Sequence, residues 1–318
     1  MTNEQAAEPH LALGEGAEFD AIRAMVREWG HRASGIGDDA SVLQVPAGQR
    51  LVASTDASVE GVHFRREWLS PEEIGARAAT AALSDLAAMA ATPLGLLLAL
   101  GVPSAWQDEL VELARGVGNA AERAGCPIVG GNVTRSRELT LTVTVLGAAE
   151  HPLRRDGARA GDDLWVTGRL GAPAAALRAL QSGHVPMPAH MARFAAPVAR
   201  LAEARWLAST GATAAIDLSD GLAADITHLA RASGLTAALE LADVPCFPGV
   251  APADAIVSGE EYELAIAMPA SAAVNVSEFE RRFGVPLTRI GAFREAGTEP
   301  LLLNGTRVDL ARGHDHLS

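Results

Sequence analysis

Two glycines that lead into adjacent carboxylates, as in G-I-G-D-D over residues 35–39, give a chain a place to hold a cation against a phosphate. Gly35, Gly37 and Ala40 also fit a loose G-x-G-x-x-A dinucleotide fingerprint. That fingerprint follows a strand and opens a helix. Here a helix is expected over Phe19–Trp29 and the start of a strand over Ser41–Val45, so the motif reads as a helix-to-strand loop. Asp38 and Asp39 would repel a bare pyrophosphate unless a cation lay between them.

Further carboxylates stand beside hydroxyls or glycine at expected element ends: Ser54-Thr55-Asp56, Ser84-Asp85 and Asp217-Leu218-Ser219-Asp220. Taken singly, Asp56 could cap a turn and Asp220 could start a helix. Asp85 is different, because it falls inside an Ala-rich helix between Leu83 and Leu86, where no cap is needed and an unpaired buried carboxylate is costly. A cation would resolve it. Mg²⁺ takes oxygen ligands, keeps some of its waters and bridges one or two carboxylates to substrate phosphates. Scattered Asp residues therefore suit an Mg-nucleotide site better than an all-protein metal cage, and phosphoryl transfer needs mainly positioning and charge neutralisation of that kind.

The elements that must position these residues alternate along the chain. Leu51–Ser54 reads as a strand ending at Thr55-Asp56, and Ser70, Pro71 and Glu73 form a capping box that opens a helix running to about Ala91. Leu94–Leu100 reads as a buried strand, 104–124 as a helix, and Ile128–Val129 as a short strand stopping at Gly130-Gly131. Glu138–Leu146 alternates apolar residues with Thr, the period of a half-buried strand. A polar stretch rich in Gly and Arg after this strand sets a domain boundary near 149, giving domains over 1–148 and 149–318, the first with a flexible lead over 1–18. In the second, strands are expected over Asp163–Thr167, Ala214–Leu218, Thr236–Leu241 and Tyr262–Met268. Helices are expected over 172–182, around 190–209 and over 222–233, and Asn304-Gly305 marks a hairpin between Leu301–Leu303 and Thr306–Asp309. The class is α/β or α+β in two domains.

With 318 residues, 48% hydrophobic and 20% charged, the chain can bury a large core. A net charge of -13 argues against nucleic acid and anionic membrane surfaces as partners. All 26 basic residues are Arg, which removes the P-loop lysine, the kinase β3 lysine and any Schiff-base lysine. Cys126 and Cys246 lack metal-site spacing, the N-terminus is polar, and the longest apolar stretch, Leu94–Val102, is too short to span a bilayer. A cytoplasmic protein is expected.

At this point the ordered blocks GIGDDASVL, STDASVEGVHF, LSDLAAMAATP, GGNVTRS, GDDLWVTGRLG, DLSDGLAADITHLARASG, SGEEYELAI and GHDHL resemble the motif series of the thiamine-monophosphate kinase family, over roughly residues 18–316. That family belongs to the superfamily of aminoimidazole ribonucleotide synthetase and selenophosphate synthetase. The resemblance implies ATP- and Mg²⁺-dependent phosphorylation of thiamine monophosphate to the diphosphate by direct in-line transfer. It also implies a homodimer whose N-terminal mixed sheets form a barrel, with a C-terminal α/β domain outside. Carried over by position, Asp39, Ser54, Thr55, Asp56, Asp85, Asp217 and Asp220 match metal ligands, with Asn132 where the family has Asp. Asp85, Asp56 and Asp220 are the residues expected at the reaction itself. Gly131, Arg155 and Ser219 match ATP contacts, and His63, Glu260 and His314 match substrate contacts.

The chain departs from the family pattern in four places. Asn132 in GGN removes one negative charge, Ser258 and Glu261 in SGEEYEL replace a Gly and lengthen an acid, and Ala82 precedes Leu83-Ser84-Asp85 where Asn is common. His314 replaces an aromatic expected to stack on thiamine, and Leu317 follows where the family has Phe. Two other functions share the residues: the same ATP chemistry on a different acceptor, and a weakly active nucleotide-binding paralogue. GHDH and VEGVHF favour the kinase over the first, while Asn132 and His314 motivate the second.

Overall fold

The structure, a computed structural model, describes residues 14–307. Of the lead expected over 1–18, residues 1–13 lie outside the described residues, and Ala17 already opens the first helix. The chain divides into two compact units, Met1–Leu86 with Thr92–Glu150, and Ala87–Ala91 with His151–Ser318.

The first unit holds α1 (Ala17–Trp29), β1 (Arg50–Val59), α2 (Pro71–Ala88), β2 (Thr92–Val102), α3 (Leu110–Ala124), β3 (Ile128–Arg135) and β4 (Thr140–Ala149). Its sheet runs β1-β4-β2-β3, antiparallel except for the β2–β3 pair, and it does not close on itself within the chain. Period-two patterning buries Leu96, Leu98, Leu100, Leu141, Val143 and Val145. The alternate rows, Ala53 with Leu146 and Thr55 with Thr144 and Leu97, stay partly exposed. The capping box forms as expected: the Glu73 N–H donates to Ser70 Oγ at 3.3 Å and the Ser70 N–H to Glu73 Oε2 at 2.8 Å. Helices α2 and α3 meet at glycine, since a Cβ on Gly116 would lie 1.9 Å from the Glu72 carbonyl oxygen.

Several expected boundaries move. β1 runs through Thr55 and Asp56 to Val59, because β4 offers a partner for each residue, and β3 continues through Gly130-Gly131 to Arg135 along β2. Residues 41–45 form no strand; among the described residues no neighbour pairs with them, and Val42 is 93% exposed. The helix expected from 104 begins as a 3₁₀ turn over Ser104–Glu109, and the helix expected to reach Ala91 stops at Ala88.

The second unit holds β5 (Asp162–Thr167), α4 (Ala172–Gln181), α5 (Pro188–Ala195), α6 (Leu201–Thr210), β6 (Ala214–Asp217), α7 (Leu222–Ala232), β7 (Leu235–Leu239) and α8 (Pro252–Ala255). It continues with β8 (Leu264–Pro269), α9 (Val276–Phe283), β9 (Leu287–Glu295), β10 (Leu301–Leu303) and β11 (Thr306–Arg307). The seven-stranded mixed sheet runs β11-β10-β7-β9-β5-β8-β6 around a core that includes Leu164, Val166, Ile216, Ile226, Ile290 and Phe293. The helix expected around 190–209 is two helices, since Pro197 cannot continue a helix and Ala196 leaves helical geometry. The expected hairpin forms at Asn304-Gly305, with residues 308–309 outside the described residues. Helix α9 and strand β9 were not expected from the sequence. No helix among the described residues is long and apolar enough to cross a membrane.

Candidate active site

In the first unit the expected residues fall on β1, α2, β3 and the loop before β1. Strand alternation sets Ser54 and Asp56 on one face of β1 and Thr55 on the other, where Thr55 Oγ1 lies 3.0 Å from Thr144 Oγ1. Asp85 is half-buried rather than fully buried, and it is not left unpaired: Ser54 Oγ donates to its Oδ2 at 2.5 Å. That bond joins a strand ligand candidate to a helix ligand candidate, so two predicted residues converge here. The Asp56 Oδ1 accepts the Ala57 N–H at 2.7 Å.

The loop carrying exposed Asp39 is tied by the Ser41 hydroxyl, which donates to the Val129 carbonyl just ahead of Gly130-Gly131. At Gly131 a Cβ would sit 1.9 Å from the Leu98 carbonyl oxygen, so strand packing demands glycine there. Asn132 stands inside β3 rather than at a strand end. The register puts it in the row of Ala99, Thr142 and Ala57, one residue out of step with the Leu98, Val143 and Asp56 row. Sheet order places β4 and β2 between Asp56 and Asn132, three strand spacings or about 14 Å.

His63 closes the turn after β1. Its Nδ1 accepts the Val59 N–H at 3.1 Å, which fixes the neutral tautomer with the proton on Nε2, a donor suited to a phosphate oxygen. Glu60, three residues before it, accepts from Trp106 Nε1 at 2.9 Å and the Leu139 N–H at 3.3 Å and so supports the turn.

In the second unit, two loops interlock. The Glu260 N–H donates to the Ser219 carbonyl at 2.8 Å and the Tyr262 N–H to the Leu218 carbonyl at 2.9 Å. Asp217, Ser219, Asp220 and Glu260 are thereby brought together, Asp217 buried and Ser219 exposed. Glu260 and Tyr262 both occupy the left-handed region, at φ 57° and 50°, a conformation costing a non-glycine residue about 1–3 kcal/mol. Arg155 is exposed, and its carbonyl accepts the Ser233 hydroxyl at 2.7 Å. His314 lies outside the described residues.

Asp225, which lies within the DLSDGLAADITHLARASG block but was assigned no role, supports the first of these loops. Its buried Oδ2 accepts the N–H groups of Ser219, Asp220 and Gly221 at 3.1, 3.2 and 3.1 Å. Burial, followed by the neighbouring charges of Asp217 and Asp220, pushes its carboxyl up to about 8. Besides that block, its sequence signal is an acid in the first turn of a helix. Glu263, also missed, is buried and kept ionised: burial opposes its charge, but Arg200 and Arg193 overcome it and lower its pKa.

Among the described residues no three His, Cys, Asp or Glu side chains converge into a ready-made metal cage. The candidate donors are carboxylates, hydroxyls and a carboxamide, the oxygen chemistry Mg²⁺ takes. The residues fit such an ion with its remaining positions filled by water or phosphate. A surface cavity of about 460 Å³ in the first unit, lined by Arg66, Trp68, Ser70 and Glu109, holds none of the expected residues.

Comparison with known proteins gives consistent matches. AIR synthase related protein matches over residues 37–149 with its N-terminal domain and over 159–301 with its C-terminal domain. A thiamine-monophosphate kinase from Synechococcus elongatus is 34% identical, covering 89% of this chain and 91% of the relative. The crystal structure of thiamine-monophosphate kinase from Stenotrophomonas maltophilia K279a superposes with a TM-score of 0.81 at 34% identity, covering 92% of this chain and 98% of that one. AaThiL complexed with AMPPCP and TMP superposes with a TM-score of 0.75 at 30% identity, covering 94% and 95%.

Proposed function

The chain belongs to the thiamine-monophosphate kinases of the AIR synthase related family, and on that premise we propose that it transfers the γ-phosphoryl group of ATP directly and in line to thiamine monophosphate, with Mg²⁺ bound. The interlock of the Asp217–Gly221 and Ser258–Tyr262 loops carries this reading. It sets residues expected on metal and ATP beside Glu260, expected on the acceptor. The AaThiL complex, which holds AMPPCP and TMP together, supports both substrates.

In the transfer, a phosphate oxygen of thiamine monophosphate forms a bond to the γ-phosphorus as the bond to the β–γ bridging oxygen breaks and ADP leaves. The acceptor is a phosphate whose second pKa is about 6, so near neutrality it attacks as an anion and needs no general base. The carboxylates are therefore assigned to charge and position rather than proton removal. In the first unit Asp39, Ser54, Thr55, Asp56, Asp85 and Asn132, and in the second Asp217 and Asp220, are the oxygen donors proposed for Mg²⁺ ions, Thr55 through its carbonyl because its side chain turns to Thr144. Bound Mg²⁺ supplies neutralisation of the phosphate charge. Gly131, Arg155 and Ser219 face ATP, Arg155 with a guanidinium for phosphate oxygens. His63 donates from Nε2 to the acceptor phosphate, while Glu260 and His314 orient the acceptor.

The working form is a homodimer in the cytoplasm. The partly exposed rows of the first sheet, including Leu51 at 55% exposure, support a partner sheet on that face. Free Cys126 and Cys246 suit a reducing compartment.

The test is stereochemical. ATP made chiral at the γ-phosphorus should give thiamine diphosphate with inverted configuration; retention would require a phosphoenzyme and contradict direct transfer.

A further inference from the structure

The loop carrying Glu260 is held by an arginine pair that the reaction itself does not require. Arg193 on α5 donates from Nη2 to the Glu261 carbonyl, between the two left-handed residues Glu260 and Tyr262, and from the same nitrogen to Glu263 Oε1 at 2.7 Å. Arg200, across the Pro197 break, forms a two-point pair with Glu263, Nε to Oε2 at 2.8 Å and Nη2 to Oε1 at 2.5 Å. Thr167 Oγ1 donates to Glu263 Oε2 at 2.7 Å. The Arg193, Arg200 and Glu263 side chains are 10%, 12% and 1% exposed. The Glu263 carboxylate fills space that Gly168 leaves open, since a Cβ there would lie 2.3 Å from it.

These bonds divide the labour. Without Arg193, Glu263 would still keep the two-point pair with Arg200 and the Thr167 hydrogen bond. What Arg193 adds is a charged donor on the one peptide carbonyl that sits between two strained residues. The ATP-side loop has a separate support, the three N–H groups gathered by Asp225.

We propose that Arg193 is a positioning residue for the acceptor: it fixes the Glu261 peptide and so aims Glu260 at thiamine monophosphate without touching substrate. The proposal rests on the assignment of Glu260 to the acceptor. It separates binding of the acceptor from binding of ATP, which a general loss of stability does not.

Arg193→Met keeps most of the side-chain volume and leaves Glu263 paired with Arg200. Its KM for thiamine monophosphate should rise about tenfold, the worth of one charge-assisted hydrogen bond. Its KM for ATP should change less than threefold, and a melting curve should show one cooperative transition. An unchanged KM for thiamine monophosphate, or equal rises for both substrates, would overturn the proposal while leaving the kinase reading intact. Wild-type protein that fails to phosphorylate thiamine monophosphate would overturn that reading and the proposal with it. Should Arg193→Met not accumulate folded, Arg193→Gln carries the same expectation and the same refutation, because its polar tip is uncharged and too short to reach the Glu261 carbonyl from the same backbone position.

Discussion

Glu261 is fully buried, with Oε1 accepting the Gly171 N–H at 2.5 Å ahead of α4 and Oε2 without a hydrogen-bond partner among the described residues. Burial raises its carboxyl to about 7 from 4.5. A folded pKa above the unfolded one means that its contribution to stability is complete below about pH 4.5 and is lost as pH rises through 7. Glu261→Gln, which mimics the protonated form, should therefore match wild type near pH 4 and exceed it at pH 8 by up to about 3 kcal/mol. Urea midpoints at the two values measure this, and a difference that does not widen with pH would contradict the assignment. At this scale the sequence is informative where chemistry is local. Asp217, Ser219 and Asp220 share one short motif, and the loop interlock brings Glu260 to them from about 40 positions on. Asp225, Arg193 and Glu263 were not legible, because their roles come from partners met only after folding. Asp85 was read as a lone buried acid; the Ser54 hydroxyl that meets it comes from a strand 31 residues earlier.

Among the elements, most strands were legible from their patterning, while the ends of β1 and β3 were not, the strand expected from Ser41 did not form and β9 was missed. Gly130-Gly131 looks like a stop, yet in β3 Gly131 is the residue that lets the backbone lie against Leu98. Thr55-Asp56 looks like a strand end, yet β4 pairs with β1 through Val59. In both cases the neighbouring strand decides, and a single sequence does not show its register. Gly131→Ala should force β3 away from β2 and cost about 3 kcal/mol, read as a lower urea midpoint in the apo protein. An unchanged midpoint would mean that the close approach to Leu98 is not a constraint on the fold. Capping chemistry, by contrast, was legible at Ser70 and Glu73 because both partners lie within one turn. The break between α5 and α6 was missed although Pro197 signals it, and it is this break that allows Arg193 and Arg200 to reach one carboxylate.

For the whole molecule, the two-unit division places acidic ligand candidates on both units, with the Ser54–Asp85 pair on one and the interlocked loops on the other. The dimer proposed from the open sheet face has its own test. Ala53→Arg puts a cation in the exposed row beside Leu146 and should yield a monomer in sedimentation velocity; an unchanged dimer would place the interface elsewhere. The most direct measurement is formation of thiamine diphosphate from ATP and thiamine monophosphate across an Mg²⁺ titration, with Asp85→Asn beside wild type. Wild type should form product only with Mg²⁺, and Asp85→Asn should fold but lose at least about a hundredfold in kcat, the scale expected for a removed electrostatic stabiliser. Product formed equally by Asp85→Asn, or without a divalent ion, would contradict the metal-centred account.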